Sequence, residues 1–249
     1  MMHRTVATRV PPVFGRAEPG RVVVAGSSRP ARFEGDLHKI LAGSVSAILF
    51  LAVASPAAGH HVGAYIPKDN AVTTNFKQVK FSVQAKKFDV ALRLFETGAI
   101  RAEMRAQAST LPPGLEEGTR AALKAHDGPE VERRLMIFFA ALARDLAREA
   151  DRQLAEPGGT VESRAATGRR FLEAIWRYYN LVDFAVAMRD NKTSVAIRLA
   201  FDEAETVVKP ATGGAAPDDP TKARPPLQRI ARVLSTLIET SSTSARRDS

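Results

Sequence analysis

The chain has 249 residues and no cysteine, which excludes disulfides, haem attached through a C-x-x-C-H motif, thiolate zinc sites and cysteine catalysis. Its formal net charge is +9, but residues 1–58 carry seven basic and three acidic groups, so the remainder carries only +5. Because those charges are interspersed rather than clustered beside stacking aromatic residues, the composition argues against nucleic-acid binding.

The first distinctive element is an uncharged apolar run over residues 40–54, which follows Lys39 and is closed by small residues and Pro56. A membrane-spanning helix needs about 20 apolar residues, and this run is shorter. A basic flank, a short apolar centre and small residues after it are typical of a secretory signal peptide. We therefore predict that residues 1–58 are a disordered extension plus a cleaved leader, with an uncleaved inner-membrane anchor as the alternative. The mature protein is then expected in the periplasm or outside the cell.

Two histidines, His60 and His61, follow this leader directly. If processing left Gly59 first, Gly59-His60-His61 would resemble the amino-terminal copper- and nickel-binding motif. In that motif the free amine, two backbone amides and the third-position imidazole give a square-planar set of nitrogens, which suits Cu(II) or Ni(II). The alternative is an exported terminus whose histidines bind nothing specific, since a cut after residue 58 fits the processing rule poorly.

Residues 59–209 read as one helical domain, because strand-like alternation is absent and Ala, Arg, Leu and Glu dominate. Thr73 and Thr74 are predicted to cap its first helix. The stretch "QAKKFDVALRLFETGAI" follows and places four apolar residues on one stripe: Phe88, Ala91, Leu92 and Phe95. This stretch resembles one hairpin of a tetratricopeptide-type repeat over about twenty residues and does not recur at a fixed period. The resemblance implies a helical hairpin and no more.

Further helices are predicted over 115–125, 130–155, 193–208 and from 161 to a turn at 190–191. The inner face predicted for the 130–155 helix has five residues: Leu135, Phe138, Phe139, Leu142 and Leu146. A Pro- and Gly-rich linker over 210–225 precedes an amphipathic C-terminal helix over 226–241 and a disordered tail over 242–249. Short connections between such helices predict an all-α fold, a helical bundle or irregular helical-hairpin array of about six to seven helices.

The helix that starts at residue 161 carries most of the aromatic residues. Core packing is the expected role of Trp176 and the neighbouring tyrosines. Asp183 is the exception, because an acid on an apolar arc is costly unless it is paired. Its candidate partners are a cationic ligand or one of three arginines, Arg170, Arg177 and Arg198. The sharper prediction is that Trp176, Tyr179 and Asp183 line a ligand pocket with Arg170 or Arg177 at its edge.

The following helix carries Asp202 and Glu205, which could offer two carboxylates to a hard cation. Bundle metal sites add Glu-x-x-His elements, and this helix has none, so a solvated acidic face is the alternative. Phosphate-binding loops, a G-x-S-x-G elbow and an H-E-x-x-H motif are absent from the sequence. The sequence therefore predicts that the protein is not an enzyme.

Together these features predict an exported, non-catalytic accessory or binding protein of the bacterial cell envelope. Its partner would be an envelope protein, a peptide or a small ligand, with no cofactor and no nucleic acid. Contact with the membrane would be transient, through the leader, or permanent if the leader is not cleaved. The alternative is a periplasmic metal-handling protein that binds copper, nickel or iron through the N-terminal histidines or the carboxylates between helices.

Overall fold

A computed structural model of the chain describes residues 68–210 and 219–244. The predicted leader and His60 and His61 lie outside these ranges, and so does most of the predicted tail. Within them the protein contains nine α-helices, one short 3-10 turn and no strand. The predicted all-α class is confirmed, and these ranges already hold more helices than the six to seven expected. No helix in this part of the chain is long and apolar enough to cross a bilayer.

The helices vary in length from two turns to nearly eight. In chain order they are α1 Ala71–Gln84, α2 Phe88–Thr97, α3 Ala99–Ala106, α4 Leu115–Lys124, α5 Gly128–Ala155, α6 Val161–Tyr179, α7 Asp183–Arg189, α8 Asn191–Val208 and α9 Arg224–Ser244. Helices α1 and α2 pack together as the predicted helical hairpin, with α3 and α4 beside them.

The central element is α5, which packs against α1, α4, α6 and α9. It starts where the Asp127 side chain accepts a hydrogen bond from the Glu130 N–H at 3.0 Å, with Pro129 in the first turn. Four of the five residues predicted for its inner face are buried, and the fifth, Leu146, is partly buried. This helix therefore supplies the middle of the hydrophobic core, as its periodicity predicts.

The first helix is capped one turn earlier than the sequence suggested. The Asn70 side chain accepts from the Thr73 N–H at 2.9 Å, and the Thr73 hydroxyl accepts from the Asn70 N–H at 2.9 Å. This reciprocal capping box makes Asn70 the cap, so the prediction that Thr73 or Thr74 caps the helix is wrong. The physical reason is that asparagine is a stronger cap than threonine, while Thr73 fits the third helical position of the box.

A buried asparagine joins α1 to the bend between α2 and α3. The Asn75 amide donates to the Leu94 carbonyl at 3.0 Å, and its oxygen accepts from the Ile100 N–H at 3.0 Å. The bend falls at Gly98, where a Cβ atom would lie 2.2 Å from both the Asn75 side chain and the Leu94 carbonyl. Only glycine lets the backbone come this close, so Asn75 and Gly98 together end α2.

The C-terminal helix begins slightly earlier than predicted and continues to Ser244, so the prediction that the disordered tail starts at residue 242 is wrong. Asp219 accepts from the Thr221 N–H at 2.9 Å and starts a 3-10 turn over Pro220–Ala223, which leads into α9 at Arg224. Part of the predicted 210–225 linker is therefore helical, and residues 211–218 lie outside the described ranges. The apolar face of α9 packs on α5 and α8, which closes the core on that side.

Candidate functional site

The aromatic helix predicted from residue 161 to residue 190 is two helices, so that prediction is wrong. After α6 ends at Tyr179, the N–H groups of Leu181 and Val182 donate to carbonyls three residues back, at 3.3 and 3.0 Å. These tighter bonds interrupt the α-helical ladder, and α7 starts anew at Asp183. Asp183 therefore opens a second helix instead of continuing the stripe that contains Trp176 and Tyr179.

Asp183 lies at the centre of a buried polar cluster between α7 and α8. Its side chain is almost fully buried, and one carboxylate oxygen accepts from the Ser194 hydroxyl at 2.8 Å and from Arg198 Nε at 3.2 Å. The other oxygen accepts a second guanidinium hydrogen bond, so the ion pair is bidentate. These hydrogen bonds raise the pKa of the Arg198 guanidinium further above its usual value. Of the three predicted arginine partners, Arg198 is the one that pairs with Asp183, and the pair ties α7 to α8.

Tyr179 lies beside this cluster and is fully buried. Its hydroxyl has no hydrogen-bond partner among the described residues. Burial, reinforced by the negative charge of Asp183, holds the pKa of the phenol far above its usual value. The phenol therefore stays neutral near neutral pH and is unsuited to exchanging protons with a substrate there.

The raised pKa of Tyr179 predicts a loss of stability at alkaline pH. Below about pH 10 the phenol is protonated in both the folded and unfolded chains, so it does not make the free energy of unfolding depend on pH. Above that pH the unfolded chain releases this proton first, so the free energy of unfolding falls by up to about 1.4 kcal/mol per pH unit. Denaturant unfolding at a series of alkaline pH values should show a shallower fall for Tyr179→Phe. Equal slopes for the two proteins would contradict this assignment.

The other residues predicted for a pocket are placed differently from one another. Trp176 is buried and packs against Phe201 and Tyr179, with ring centroids 5.0 and 6.1 Å apart. Arg177 pairs with Glu173 at 3.0 Å, the simple pair one helical turn apart that its spacing indicates. Arg170 is exposed on α6 and lines a shallow depression of mixed polar and apolar character. Trp176, Tyr179 and Asp183 thus come together in the interior, while neither predicted edge arginine contacts Asp183.

The carboxylates predicted for a metal ion also differ in their surroundings. Glu205 is buried and pairs with Lys209 at 2.9 Å, and its other carboxylate oxygen has no hydrogen-bond partner in the described chain. Asp202 is partly buried. Over residues 68–210 and 219–244, no three His, Cys, Asp or Glu side chains converge in a way that could hold a metal ion. A site at His60 and His61 stays a prediction, because those residues lie outside the described ranges.

A second candidate site is an apolar groove on the surface, with a cavity volume of about 340 Å³. It runs between α1, α5 and the segment from Leu181 through α7. Each of these three walls contributes apolar side chains, among them Phe76 and Val83, Leu135 and Met136, and Phe184 and Met188. We refer to it as the α1–α5–α7 groove. Its volume falls within the range of small-ligand and peptide sites.

The walls of this groove differ in burial. The α1 and α5 residues that form its floor belong to the hydrophobic core. Phe184 and Met188, one turn apart on α7, are 75% and 74% exposed. Lys80 lies on the α1 wall with its ammonium 5.7 Å from the centre of the Phe76 ring, and Glu132 lies on the α5 wall. The groove thus has a firm apolar floor, an exposed apolar lip and one charge of each sign.

Sequence reasoning missed this groove because it placed residues 183–190 on a continuing helix. The i,i+4 spacing of Phe184 and Met188 is visible in the sequence, but it shows only that they share a helical face. Whether that face is buried depends on the turn at residues 180–182. The pattern alone therefore could not distinguish an exposed lip from a core contact.

Comparisons with protein-family models, with curated protein sequences and with solved structures find no match to this chain. The two candidate sites are therefore distinguished by their own chemistry. In the interior cluster, Asp183 is already neutralised by Arg198 and hydrogen-bonded by Ser194. In the α1–α5–α7 groove, Phe184 and Met188 are largely exposed, and exposed apolar patches of this kind are typical of interaction surfaces.

Proposed function

We propose that this chain is an exported, non-catalytic binding protein of the cell envelope, and that the α1–α5–α7 groove is its recognition surface. The observation that carries the proposal is the position of Phe184 and Met188, which are three-quarters exposed at the lip of an apolar groove. Export is supported by the leader pattern over residues 40–54. The non-catalytic assignment is supported by the sequence, in which phosphate-binding loops, a G-x-S-x-G elbow and an H-E-x-x-H motif are absent.

The energetics of the lip favour an apolar partner. Fully burying a Phe or Met side chain contributes about 1.5–3 kcal/mol. Covering both Phe184 and Met188 would therefore supply a substantial part of the binding free energy of a micromolar complex. Methionine adapts its shape to different partners because its side chain is unbranched and flexible. The floor needs little rearrangement, because Leu135 and Met136 are buried on the central helix. A flexible lip over a firm floor suits the apolar face of a peptide or of a protein segment.

The polar residues of the groove restrict how such a ligand can lie. Lys80 and Glu132 stand on different walls, α1 and α5. An amphipathic segment that inserts its apolar side between them can place a polar group near each charge at the solvent edge. Such rim contacts orient a ligand and affect its association rate more than its affinity. We therefore expect the apolar contacts to set the affinity.

The test is a titration with anilinonaphthalene sulfonate, a small fluorescent apolar anion. The double variant Phe184→Asp/Met188→Asp should bind the dye about tenfold more weakly or worse, since it removes both exposed apolar side chains. Both positions are exposed, so stability should change by only about 0.5 kcal/mol per substitution. Val195→Asp/Leu199→Asp is the matched control: it adds the same two charges one turn apart on α8, where these residues are 45% and 62% exposed and do not line the groove. Equal losses of dye affinity in the two proteins would mean that the dye binds exposed apolar surface in general, and the proposal would fail.

A further inference from the structure

A polar hollow of about 430 Å³ lies between α5 and α9. Its lining comes from both helices: Arg148, Asp151, Gln228, Ala231, Arg232 and Ser235. Alanine has no side chain beyond Cβ, so Ala231 leaves the space open between the longer side chains around it. None of the six residues lines the α1–α5–α7 groove, so the two surfaces are independent of each other. We refer to this cavity as the α5–α9 hollow.

Two arginines line this hollow without a close carboxylate partner. Arg232 is exposed, and no carboxylate of the described ranges lies within ion-pair distance of it. Arg148 is also exposed, and its ion pair with Asp145 is long, at 3.8 Å. Asp145 already accepts two hydrogen bonds from Arg144, at 2.8 and 3.1 Å. Arg148 and Arg232 therefore bring positive charge that neighbouring acids neutralise only weakly.

The carboxylate that lines the hollow has its own partners. Asp151 accepts from Arg224 Nε at 2.7 Å, and the Gln228 amide donates to both of its oxygens at 3.1 and 3.2 Å. Arg224 itself does not line the hollow. It supplies the charge that balances Asp151, so the two lining arginines are a net surplus. An anion in the hollow therefore meets two cations and one compensated acid.

We propose that the α5–α9 hollow binds a phosphomonoester, with Arg148 and Arg232 donating to its phosphate oxygens. A guanidinium group is planar and presents paired N–H donors that match the oxygens of a phosphate. The Ser235 hydroxyl donates to the Ala231 carbonyl at 2.8 Å and accepts from Arg148 at 3.1 Å, which holds that arginine on the wall of the hollow. A phosphomonoester carries close to two negative charges at neutral pH, so it can pair with both arginines. The volume of the hollow leaves room for a small organic substituent on the phosphate.

The test is a titration with glycerol phosphate, followed by the width of its phosphorus NMR line in about 0.1 M salt, which screens charges more than about 10 Å apart. Because both arginines are exposed, we expect a dissociation constant on the order of millimolar. Arg148→Gln/Arg232→Gln should weaken binding about tenfold, since it removes both donors. Arg93→Gln/Arg229→Gln is the matched control: it removes the same charge from exposed positions on α2 and α9 that do not line the hollow. Substitutions at exposed positions should leave the fold intact, which thermal unfolding checks.

We expect the control to change the dissociation constant by less than about twofold, because screening weakens distant charges. Equal losses of affinity in the two double variants, or a line width that does not saturate, would overturn the inference. Vesicles of phosphatidylcholine with phosphatidic acid present the same phosphate group as a lipid headgroup. If the protein co-sediments with these vesicles and Arg148→Gln/Arg232→Gln abolishes this binding, the ligand is a membrane lipid. Saturable binding of glycerol phosphate without such co-sedimentation assigns the hollow to a free phosphomonoester.

Discussion

Replacing Arg198 with methionine is expected to lower the free energy of unfolding by about 2–4 kcal/mol, because the Asp183 carboxylate would stay buried without its cation. Removing one partner of a fully buried pair costs about 3–5 kcal/mol. The lower range applies here because the Arg198 side chain is 44% exposed and Ser194 still donates to the carboxylate. Urea unfolding measures the loss, with Trp176 as the only tryptophan and a buried reporter.

Two further variants make this result specific. Arg229→Met is the matched control, because Arg229 is equally exposed but its partner Glu203 is 49% exposed, so the loss should stay below about 1 kcal/mol. Adding Asp183→Asn to Arg198→Met should recover part of the stability, since a neutral amide is less costly to bury than a lone carboxylate. If Arg198→Met left the free energy of unfolding unchanged and abolished ligand binding, Asp183 would instead line a ligand site. That result would support the pocket of Trp176, Tyr179 and Asp183 predicted from the sequence.

Phe139→Ala is expected to cost about 3–5 kcal/mol, the usual range for a buried phenylalanine. Phe139 is fully buried, and its ring packs edge-on against Phe76 and Phe138 at centroid distances of 4.7 and 5.0 Å. Tyr178 lies 5.9 Å away, so the same ring supports α1, α5 and α6. A loss of this size is a large fraction of the total stability of a domain. Thermal and denaturant unfolding give the magnitude.

The same substitution should also weaken the groove, because Phe76 rests on Phe139 and lines the groove floor. Phe81→Ala is the control: Phe81 is 65% exposed on α1, the helix of Phe76, and its truncation should change stability by about 0.5 kcal/mol or less. A cost below about 1 kcal/mol for Phe139→Ala would mean that the aromatic cluster does not hold the three helices together.

Helix positions were predictable where one strong local signal decided them. The periodicity of α5, with Pro129 in its first turn, gave its extent to within two residues at the start and its end at Ala155. Thr160, a residue type that favours helix starts, directly precedes α6, and its hydroxyl accepts from the Ser163 N–H. These signals are local, because the residues that set them lie within one turn of each other.

The sequence did not predict the features that distant residues decide. The bend at Gly98 depends on Asn75, which lies more than twenty residues earlier in the chain. The turn between α6 and α7 contains no proline or glycine, and the start of α7 is held by Ser194 and Arg198 on α8. The groove follows from that turn, since it leaves Phe184 and Met188 exposed. From charge alone, the sequence leaves three arginines as candidate partners of Asp183. Only the packing of α7 on α8 shows that Arg198 is the partner.

Ligand binding in the α1–α5–α7 groove is tested most directly by the NMR resonances of the methionine methyl groups. The chain has five methionines: Met1 and Met2 in the predicted leader region, Met104, Met136 and Met188. Met136 lies on the groove floor and Met188 on its lip, whereas Met104 is buried on α3 away from the groove. With ¹³C-labelled methionine methyl groups, a titration with anilinonaphthalene sulfonate should shift Met136 and Met188 together, along one saturable curve, and leave Met104 unchanged. Saturable dye binding that does not shift the resonances of Met136 and Met188, or that shifts the Met104 resonance as much as that of Met188, would contradict binding in the groove.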